Sequence, residues 1–293
     1  MGSLLKNRVI PFYVYALPAM IFWGMSFVWT RLLLQYYQPV AIILIRLLIS
    51  SLFLFILIAL FRVKATINRK DIPLLLLSAL FNPFLYFIGE NYGLKYTTST
   101  VTSVIIATIP LFTPIAAWVF FKEKLSWLNI GGLGVSFAGI ILMLMKSESE
   151  GPVSLQGIPF LAGAVCAAIF YSVTLRKLAD HYNPLVLIAW QNLAGVFLFL
   201  PLFLLFSFQD TVKVIPDAQI IKSFIFLSIL ASSLSYVFFA KTIKLVGISK
   251  ANIFTNLIPV FTAIFSFFIL AEEFSLMKII GILVVIAGVS LSE

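Results

Sequence analysis

Two charged side chains lie inside apolar stretches long enough to cross a membrane. Arg46 follows Pro39, the start of one stretch, by seven residues, and Glu90 precedes Leu94, the end of another, by four. At 1.5 Å of helical rise per residue, they lie about 10 Å and about 6 Å below the same membrane surface. A charge in hydrocarbon is costly and normally faces a partner or a pathway. We therefore expect an intramembrane Arg46–Glu90 ion pair.

This pair has two interpretations, and the sequence leaves both open. In the structural one, the charges neutralise each other because either alone would be expensive to bury. In the functional one, Glu90 titrates or binds a cationic group of a ligand, and Arg46 holds a carboxylate. The second half of the chain keeps polarity without charge at the place that corresponds to Arg46, where Gln191 is followed by Asn192.

A polar stripe accompanies Glu90. Asn82, Tyr86 and Glu90 are spaced four residues apart and so share one face of a helix. Asparagine needs partners when buried, and tyrosine can stack on a ligand while donating a hydrogen bond, so the stripe predicts a cavity wall. Close helix packing is the alternative explanation for nearby serines and threonines. The predicted binding residues are Trp23, Ser26, Asn82, Tyr86, Glu90, Ser103, Tyr171, Ser232, Tyr236, Asn252 and Asn256.

The composition indicates the class of protein. Of the 293 residues, 62% are hydrophobic and 11% are charged, and the mean hydropathy is +1.11. A soluble domain is roughly half apolar and a quarter charged, so an all-α integral membrane protein is predicted. The net charge of +9 does not indicate nucleic-acid binding, because the basic residues lie between apolar stretches instead of on one solvated face.

Cysteine and histidine are too few for a disulfide or a metal centre. Cys166, the only cysteine, lies in an apolar run and is interpreted as a packing residue. His181, the only histidine, lies in a loop without a second ligand nearby. We therefore expect neither a metal nor a cofactor.

Ten apolar segments have the length of a transmembrane helix, which needs about 20 residues. Short connections join them, and no soluble domain is predicted. The predicted spans 1–10 are Phe12–Leu33, Pro39–Phe61, Ile72–Leu94, Thr98–Phe121, Trp127–Met145, Gly157–Leu175, Pro184–Phe206, Ile221–Ile243, Ser249–Leu270 and Leu276–Leu291.

Lysine and arginine in short loops indicate the orientation. With the N-terminus inside, 13 of the 20 basic residues lie inside, 6 lie outside and Arg46 lies within a span. Both termini are therefore predicted to be cytoplasmic, in the inner membrane, with span 1 retained as a helix and no cleavable signal. The acidic residues counted outside are Glu148, Glu150, Asp210, Asp217, Glu272 and Glu273.

The chain repeats itself. At a shift of 149 residues, 109–142 falls on 258–291, so that Pro110 meets Pro259 and Glu123 meets Glu272. Each half holds five spans, an odd number, so the second half must run in the opposite sense across the membrane. The predicted repeats are residues 9–146 and 155–293. Many secondary transporters use inverted repeats of this kind to open alternately to either side, with the two matched prolines here as hinges.

The repeated motifs resemble a known family. The segments "FWGMSFVWTR", "ILIRLLISS" and "NLIPVFTAIFSFFILAEEFSLMKIIGILVVIAGVSLS" look like the EamA domain of the drug/metabolite transporter superfamily, and the resemblance covers nearly the whole chain as two units. It implies a ten-helix bundle around a central cavity lined mainly by spans 1, 3, 4, 6, 8 and 9. It also implies a secondary carrier or exporter of amino acids, related metabolites or drugs.

The leading hypothesis is a secondary transporter, an exporter or exchanger of a small polar or zwitterionic metabolite. A lipid- or prenyl-modifying enzyme would need a metal-binding acidic cluster or a histidine base, and a channel would need a charged ring or a filter sequence. The partners expected are a small-molecule substrate and the lipid bilayer. The protein is expected to be a monomer or a homodimer, because four glycines spaced for close helix contact also fit a dimer interface, namely Gly132, Gly139, Gly281 and Gly288.

Overall fold

A computed structural model describes residues 3–124, 126–144, 156–271 and 276–291. Within these ranges the regular structure is helical, which confirms the predicted all-α membrane fold. Five charged residues that are predicted to lie on the outer side of the membrane are not among the described residues, namely Lys146, Glu148, Glu150, Glu272 and Glu273. Spans 1–10 are Ser3–Leu33, Pro39–Leu60, Arg69–Tyr96, Ser99–Phe121, Trp127–Leu144, Gly157–Ala179, Pro184–Phe206, Ala218–Val246, Ile248–Leu270 and Leu276–Leu291.

Eight of these helices, among the described residues, are long and apolar enough to cross a bilayer, and the apolar parts of spans 5 and 10 are shorter. Five spans are longer than hydropathy predicted. Span 1 begins at Ser3, spans 3 and 8 begin earlier and end later, span 6 continues to Ala179, and span 9 begins one residue earlier. Polar groups account for part of the difference, since the Asp217 carboxylate accepts a hydrogen bond from the Ile220 amide and caps the start of span 8.

Spans 3 and 8 are each interrupted near the middle by a π-helical segment, at Leu80–Leu85 and Leu227–Leu234. In span 3 the interruption contains Asn82, whose φ of −146° and ψ of 120° are extended rather than helical. The residue that follows is Pro83, and proline disfavours a helical conformation in the residue before it. Both repeats therefore carry a break in the third helix, where backbone groups leave the regular ladder of hydrogen bonds.

Spans 4 and 9 are broken at matching places. Span 4 consists of Ser99–Ile106 and Ile109–Phe121, and in span 9 a 3₁₀ turn, Phe254–Leu257, precedes Ile258–Leu270. Pro110 and Pro259 are each the second residue of the later segment, where a missing amide proton costs nothing. The two prolines thus start new helical segments instead of kinking continuous ones.

Corresponding arginines tie the helices of each repeat together. At the end of span 1, Arg31 Nη1 donates to the carbonyls of Leu94 and Thr97 at the end of span 3, both at 3.2 Å. At the end of span 6, Arg176 Nη1 donates to the Ile243 carbonyl near the end of span 8. Cations at helix C-termini interact favourably with the helix dipole, so the same contact fastens the first helix of a repeat to its third.

Spans 5 and 10 pack against each other through the predicted glycine stripes. A Cβ atom at Gly139 would lie 2.7 Å from the Gly281 carbonyl oxygen, and one at Gly288 would lie 2.3 Å from the Ser136 amide nitrogen. Both glycines therefore serve a close contact between spans 5 and 10 of one chain.

Gly139→Ala should lower the free energy of unfolding by about 1–3 kcal/mol, because its methyl group would overlap the backbone of span 10. Gly134→Ala, on the same helix, is the matched control, since nothing lies within 4 Å of a Cβ atom there and alanine gains up to about 1 kcal/mol in helix propensity. Thermal unfolding of the purified variants measures both. Equal stability of the two variants would contradict the packing described here.

Candidate functional site

A cavity of about 50 Å³ lies between the two repeats. Side chains from spans 1, 2, 3, 4, 6, 8 and 9 line it. Those named from the sequence are Trp23, Ser26, Arg46, Asn82, Tyr86, Glu90, Tyr171, Tyr236 and Asn252, and those without an assigned binding role are Phe27, Phe87, Ile106, Ile109, Ala168, Ser172, Phe239, Thr255 and Ile258. The volume holds a few water molecules and is far below the roughly 300 Å³ of the smallest typical ligand pockets.

Arg46 is fully surrounded at one side of this cavity, with 2% of its surface exposed. Its Nη1 lies 3.8 Å from Glu90 Oε2, and its Nε donates to Ser232 Oγ at 2.7 Å. The guanidinium carbon lies 4.0 Å from the centre of the Phe87 ring, a cation–π contact. Span 2 therefore places the cation, and spans 3 and 8, one from each repeat, supply the groups around it.

The two charges are close but are not hydrogen-bonded to each other. A distance of 3.8 Å is too long for a hydrogen bond, and Arg46 Nη1 has no hydrogen-bond partner in the part of the chain that the structure describes. Leaving a buried donor unsatisfied costs about 1–3 kcal/mol. The Glu90 carboxylate is oriented by Tyr86, whose hydroxyl donates to Oε1 at 3.0 Å. A small anionic or carbonyl group entering the cavity would satisfy the free donor.

Aromatic rings form another part of the cavity wall. Trp23 and Tyr236 meet edge to face at 5.0 Å between ring centres, and Tyr171 lies 6.2 Å from Tyr236. Trp23 Nε1 donates to the Ala231 carbonyl at 3.2 Å, inside the π-helical segment of span 8. Asn82 Nδ2 donates to the Tyr236 hydroxyl at 3.1 Å, which joins the interruption of span 3 to the α-helical part of span 8 that follows its own interruption. The wall thus spans both repeats.

Three predicted binding residues do not line the cavity. Ser103 Oγ donates to the Thr100 carbonyl of its own helix at 2.8 Å. Ser232 lies behind Arg46 and accepts its Nε–H, so it supports the site from outside the cavity. Asn256 turns towards span 5 and donates to Ser136 Oγ at 2.8 Å.

The position of Asn256 follows from the local helix type. In an α-helix Asn256 would share a face with Asn252, four residues earlier, whereas in a 3₁₀ turn residues three apart are aligned. Residues 254–257 form such a turn, so Thr255 and then Ile258 follow Asn252 into the cavity. The sequence has no signal for this turn beyond the proline that follows it.

A second polar cluster lies beside the cavity and joins the repeats. Ser50 of span 2 and Ser233 of span 8 are 2.6 Å apart, and Asn192 Nδ2 of span 7 donates to Ser50 Oγ at 2.7 Å. Gln191, which corresponds to Arg46 in the second repeat, donates to Ser78 Oγ of span 3 at 2.7 Å. Spans 2 and 7, which pack on each other, are thus each hydrogen-bonded to the third helix of the opposite repeat.

Glu123, whose sequence context indicates no role beyond its match to Glu272, connects the repeats at one end of the bundle. It follows span 4, and its carboxylate accepts hydrogen bonds from the Ile248 amide at 3.1 Å and from the Ser249 amide and hydroxyl at 3.2 and 3.0 Å. These groups begin span 9, so Glu123 caps its N-terminus, where a negative charge is favoured. The preceding Gly247 has a φ of +87°, a conformation that glycine adopts without strain.

Arg46→Gln should destabilise the protein by about 3–5 kcal/mol, because it leaves the charge of Glu90 buried without a cation. Adding Glu90→Gln removes that charge, so the double variant should recover most of the loss. Thermal unfolding of the wild type, the two single variants and the double variant gives the coupling energy directly. Additive effects of the two substitutions would mean that the side chains do not interact.

The comparisons with known proteins agree with this architecture. The EamA-like transporter family model matches residues 10–145 and 155–292. An "Uncharacterized transporter" from Archaeoglobus fulgidus is 25% identical over 92% of this chain and 93% of its own length. The "Uncharacterized transporter YetK" of Bacillus subtilis is 27% identical over 98% of this chain and 88% of its own.

A chain of known structure, described as "Crystal structure of protein", has the same fold, with a TM-score of 0.73 at 18% identity over 94% of this chain and 97% of its own. The relatives' names confirm the prediction of a membrane transporter over that of an enzyme. Because the family model matches both halves and nearly the whole length, the chain belongs to the EamA-like transporter family.

Proposed function

We propose that the protein is a secondary carrier of a small zwitterionic metabolite, such as an amino acid, acting as an exporter or exchanger in the cytoplasmic membrane. The observation that carries this proposal is the buried Arg46–Glu90 pair on the cavity, with a free Nη1 donor among the described residues. The excess of lysine and arginine in loops on one side favours a cytoplasmic location for both termini.

The pair suits a ligand that carries both charges. A carboxylate takes the free Nη1 donor of Arg46, and an ammonium group takes Glu90 Oε2, which faces Arg46 at 3.8 Å. When a ligand with both groups enters between Arg46 and Glu90, each of these two buried residues still has a partner of opposite charge. A ligand with one charge leaves one residue of the pair uncompensated, and that is expensive at a buried site. The rings of Trp23, Tyr171 and Tyr236 enclose the rest of the molecule.

Transport requires the repeats to move. A cavity of about 50 Å³ is too small for an amino acid, so the described conformation is a contracted state between substrate-accepting ones. The breaks in spans 3, 4, 8 and 9, with Pro110 and Pro259 as hinges, let the ends of these helices swing while spans 2 and 7 hold the centre. Spans 1–5 and 6–10 then expose the pair to one side of the membrane at a time.

Glu123 holds the cytoplasmic side closed in this mechanism. Its counterpart at the shift of 149 is Glu272, and the counterparts of Ile248 and Ser249 are Ser99 and Thr100, at the start of span 4. The sequence thus repeats an acid and a helix start in the other half, which suits a carrier whose two sides close alternately.

Counterflow of a labelled zwitterion into liposomes that contain the purified protein should be saturable and blocked by unlabelled zwitterion. Tyr86→Phe removes the donor that orients Glu90 and should raise the KM about fivefold, the effect of one lost hydrogen bond. Tyr92→Phe is the matched control on the same helix, because Tyr92 stacks on Phe160 at 5.4 Å and does not line the cavity. Linear, unsaturable flux would contradict a carrier mechanism.

Glu123→Gln should open the cytoplasmic side, because a neutral amide caps span 9 less well than a carboxylate. A Thr255→Cys label site in a Cys166→Ser background should then react about tenfold faster with a membrane-impermeant thiol reagent added on the cytoplasmic side. Lys124→Gln is the control in the same loop, since Lys124 is exposed. Unchanged or slower labelling in Glu123→Gln would show that this contact does not close the cytoplasmic side.

A further inference from the structure

A second concave surface lies on the outside of the bundle, between span 3 and span 7. It has a volume of about 910 Å³ and is almost entirely apolar. From Ile72 to Leu80 it follows span 3 for about 12 Å at the rise of a helix. The residues of this groove are Ala65, Thr66, Ile67, Ile72, Leu75, Leu76, Leu77, Leu80, Trp190, Leu193, Ala194, Phe197 and Leu198.

Four exposed cations lie in residues 62–71, which are the loop before span 3 and the 3₁₀ turn that begins this span. These residues, called the basic loop below, close one end of the groove. Arg62 and Lys64 precede the groove residues Ala65–Ile67, and Arg69 and Lys70 precede Ile72. None of the four forms an ion pair with an acidic side chain in the described ranges. Four positive charges without an ion-pair partner in the described ranges therefore stand directly at the end of an apolar groove on the membrane-spanning part of the bundle.

The loop that carries these cations is fixed to the second repeat. Trp190 Nε1 donates to the Ala65 carbonyl at 2.8 Å, and the Asn68 amide donates to the Tyr182 hydroxyl at 3.1 Å. The Tyr182 hydroxyl in turn donates to the Asp71 carboxylate, and this hydrogen bond raises the pKa of the phenol. Asp71 thereby pairs with Tyr182 instead of with a neighbouring cation. Together these hydrogen bonds fix the conformation of the loop.

We propose that a phospholipid with an anionic headgroup binds this surface, with an acyl chain in the groove and its phosphate on the basic loop. The groove walls are exposed where a membrane helix meets lipid, with Leu76 at 53% and Phe197 at 66% exposure. Basic clusters beside transmembrane helices attract anionic lipids by about 1 kcal/mol per cation. Chain and headgroup sites adjoin here, so one molecule occupies both.

A second copy of the chain is a poorer occupant. In a symmetric dimer the same patch meets itself, so packing groove against groove would bring two sets of four cations together without acidic partners. A lipid supplies the missing negative charge and flexible apolar chains at once. A lipid in the groove contacts span 3 of the first repeat and span 7 of the second. It therefore binds at the boundary between the repeats, which changes shape when the repeats move in the proposed mechanism.

The test uses the purified full-length protein, native mass spectrometry and two lipids with identical acyl chains, phosphatidylglycerol and phosphatidylcholine. The wild type should retain phosphatidylglycerol at least about fivefold better, the effect of about 1 kcal/mol. Replacing Arg62, Lys64, Arg69 and Lys70 together by Gln should abolish this preference. Replacing Lys124, Lys244 and Lys250 by Gln is the matched control, since these exposed cations lie away from the groove and their loss should leave it unchanged.

The groove itself is tested by Ala194→Phe, which fills it and should reduce retention of both lipids. Ala162→Phe is the control on span 6, because Ala162 is exposed and does not line the groove. Equal retention of the two lipids by the wild type would overturn the proposal, and so would a preference that survives the quadruple replacement. A protein dimer that Ala194→Phe dissociates would assign the groove to a second copy instead.

Discussion

Burying the guanidinium of Arg46 is the constraint on which the central part of the structure depends. A cation in a membrane interior is stable only if charges, dipoles and rings surround it. Here Glu90, Phe87 and Ser232 do so, and they come from the third helices of both repeats. This environment of the Arg46 guanidinium therefore forms only when the two repeats pack together. Any relative movement of spans 3 and 8 changes it.

The repeats are alike where they hold the fold together and different where they meet the cavity. Arg31 and Arg176 make equivalent contacts at the ends of the third helices, and breaks recur in spans 3 and 8 and in spans 4 and 9. Arg46, in contrast, corresponds to Gln191 in the second repeat. At the shift of 149 residues, Glu90 corresponds to Phe239. In the proposed mechanism, the symmetric scaffold allows two related states, and the asymmetric centre gives the substrate one orientation.

The helices could be predicted from sequence because hydropathy and length are local properties, and the depths of Arg46 and Glu90 follow from helical rise. Residue-level assignments were less reliable where helix geometry departs from the α form. Asn256 is predicted to line the cavity because a buried amide needs partners, but in the 3₁₀ turn Thr255 lines the cavity instead. Contacts such as that of Glu123 with the start of span 9 join residues 125 and 126 positions apart, and no local pattern announces them.

The most direct test of the central claim is the thermal stability of the wild-type protein with three related ligands: an amino acid, its amine without the carboxylate and its acid without the ammonium. A ligand at ten times its dissociation constant stabilises by about 1.4 kcal/mol. If Arg46 and Glu90 bind both ends of a zwitterion, an amino acid should raise the unfolding temperature and neither single-charge analogue should do so at the same concentration. Stabilisation by the amine or the acid alone, equal to that by the amino acid, would contradict recognition by the charge pair.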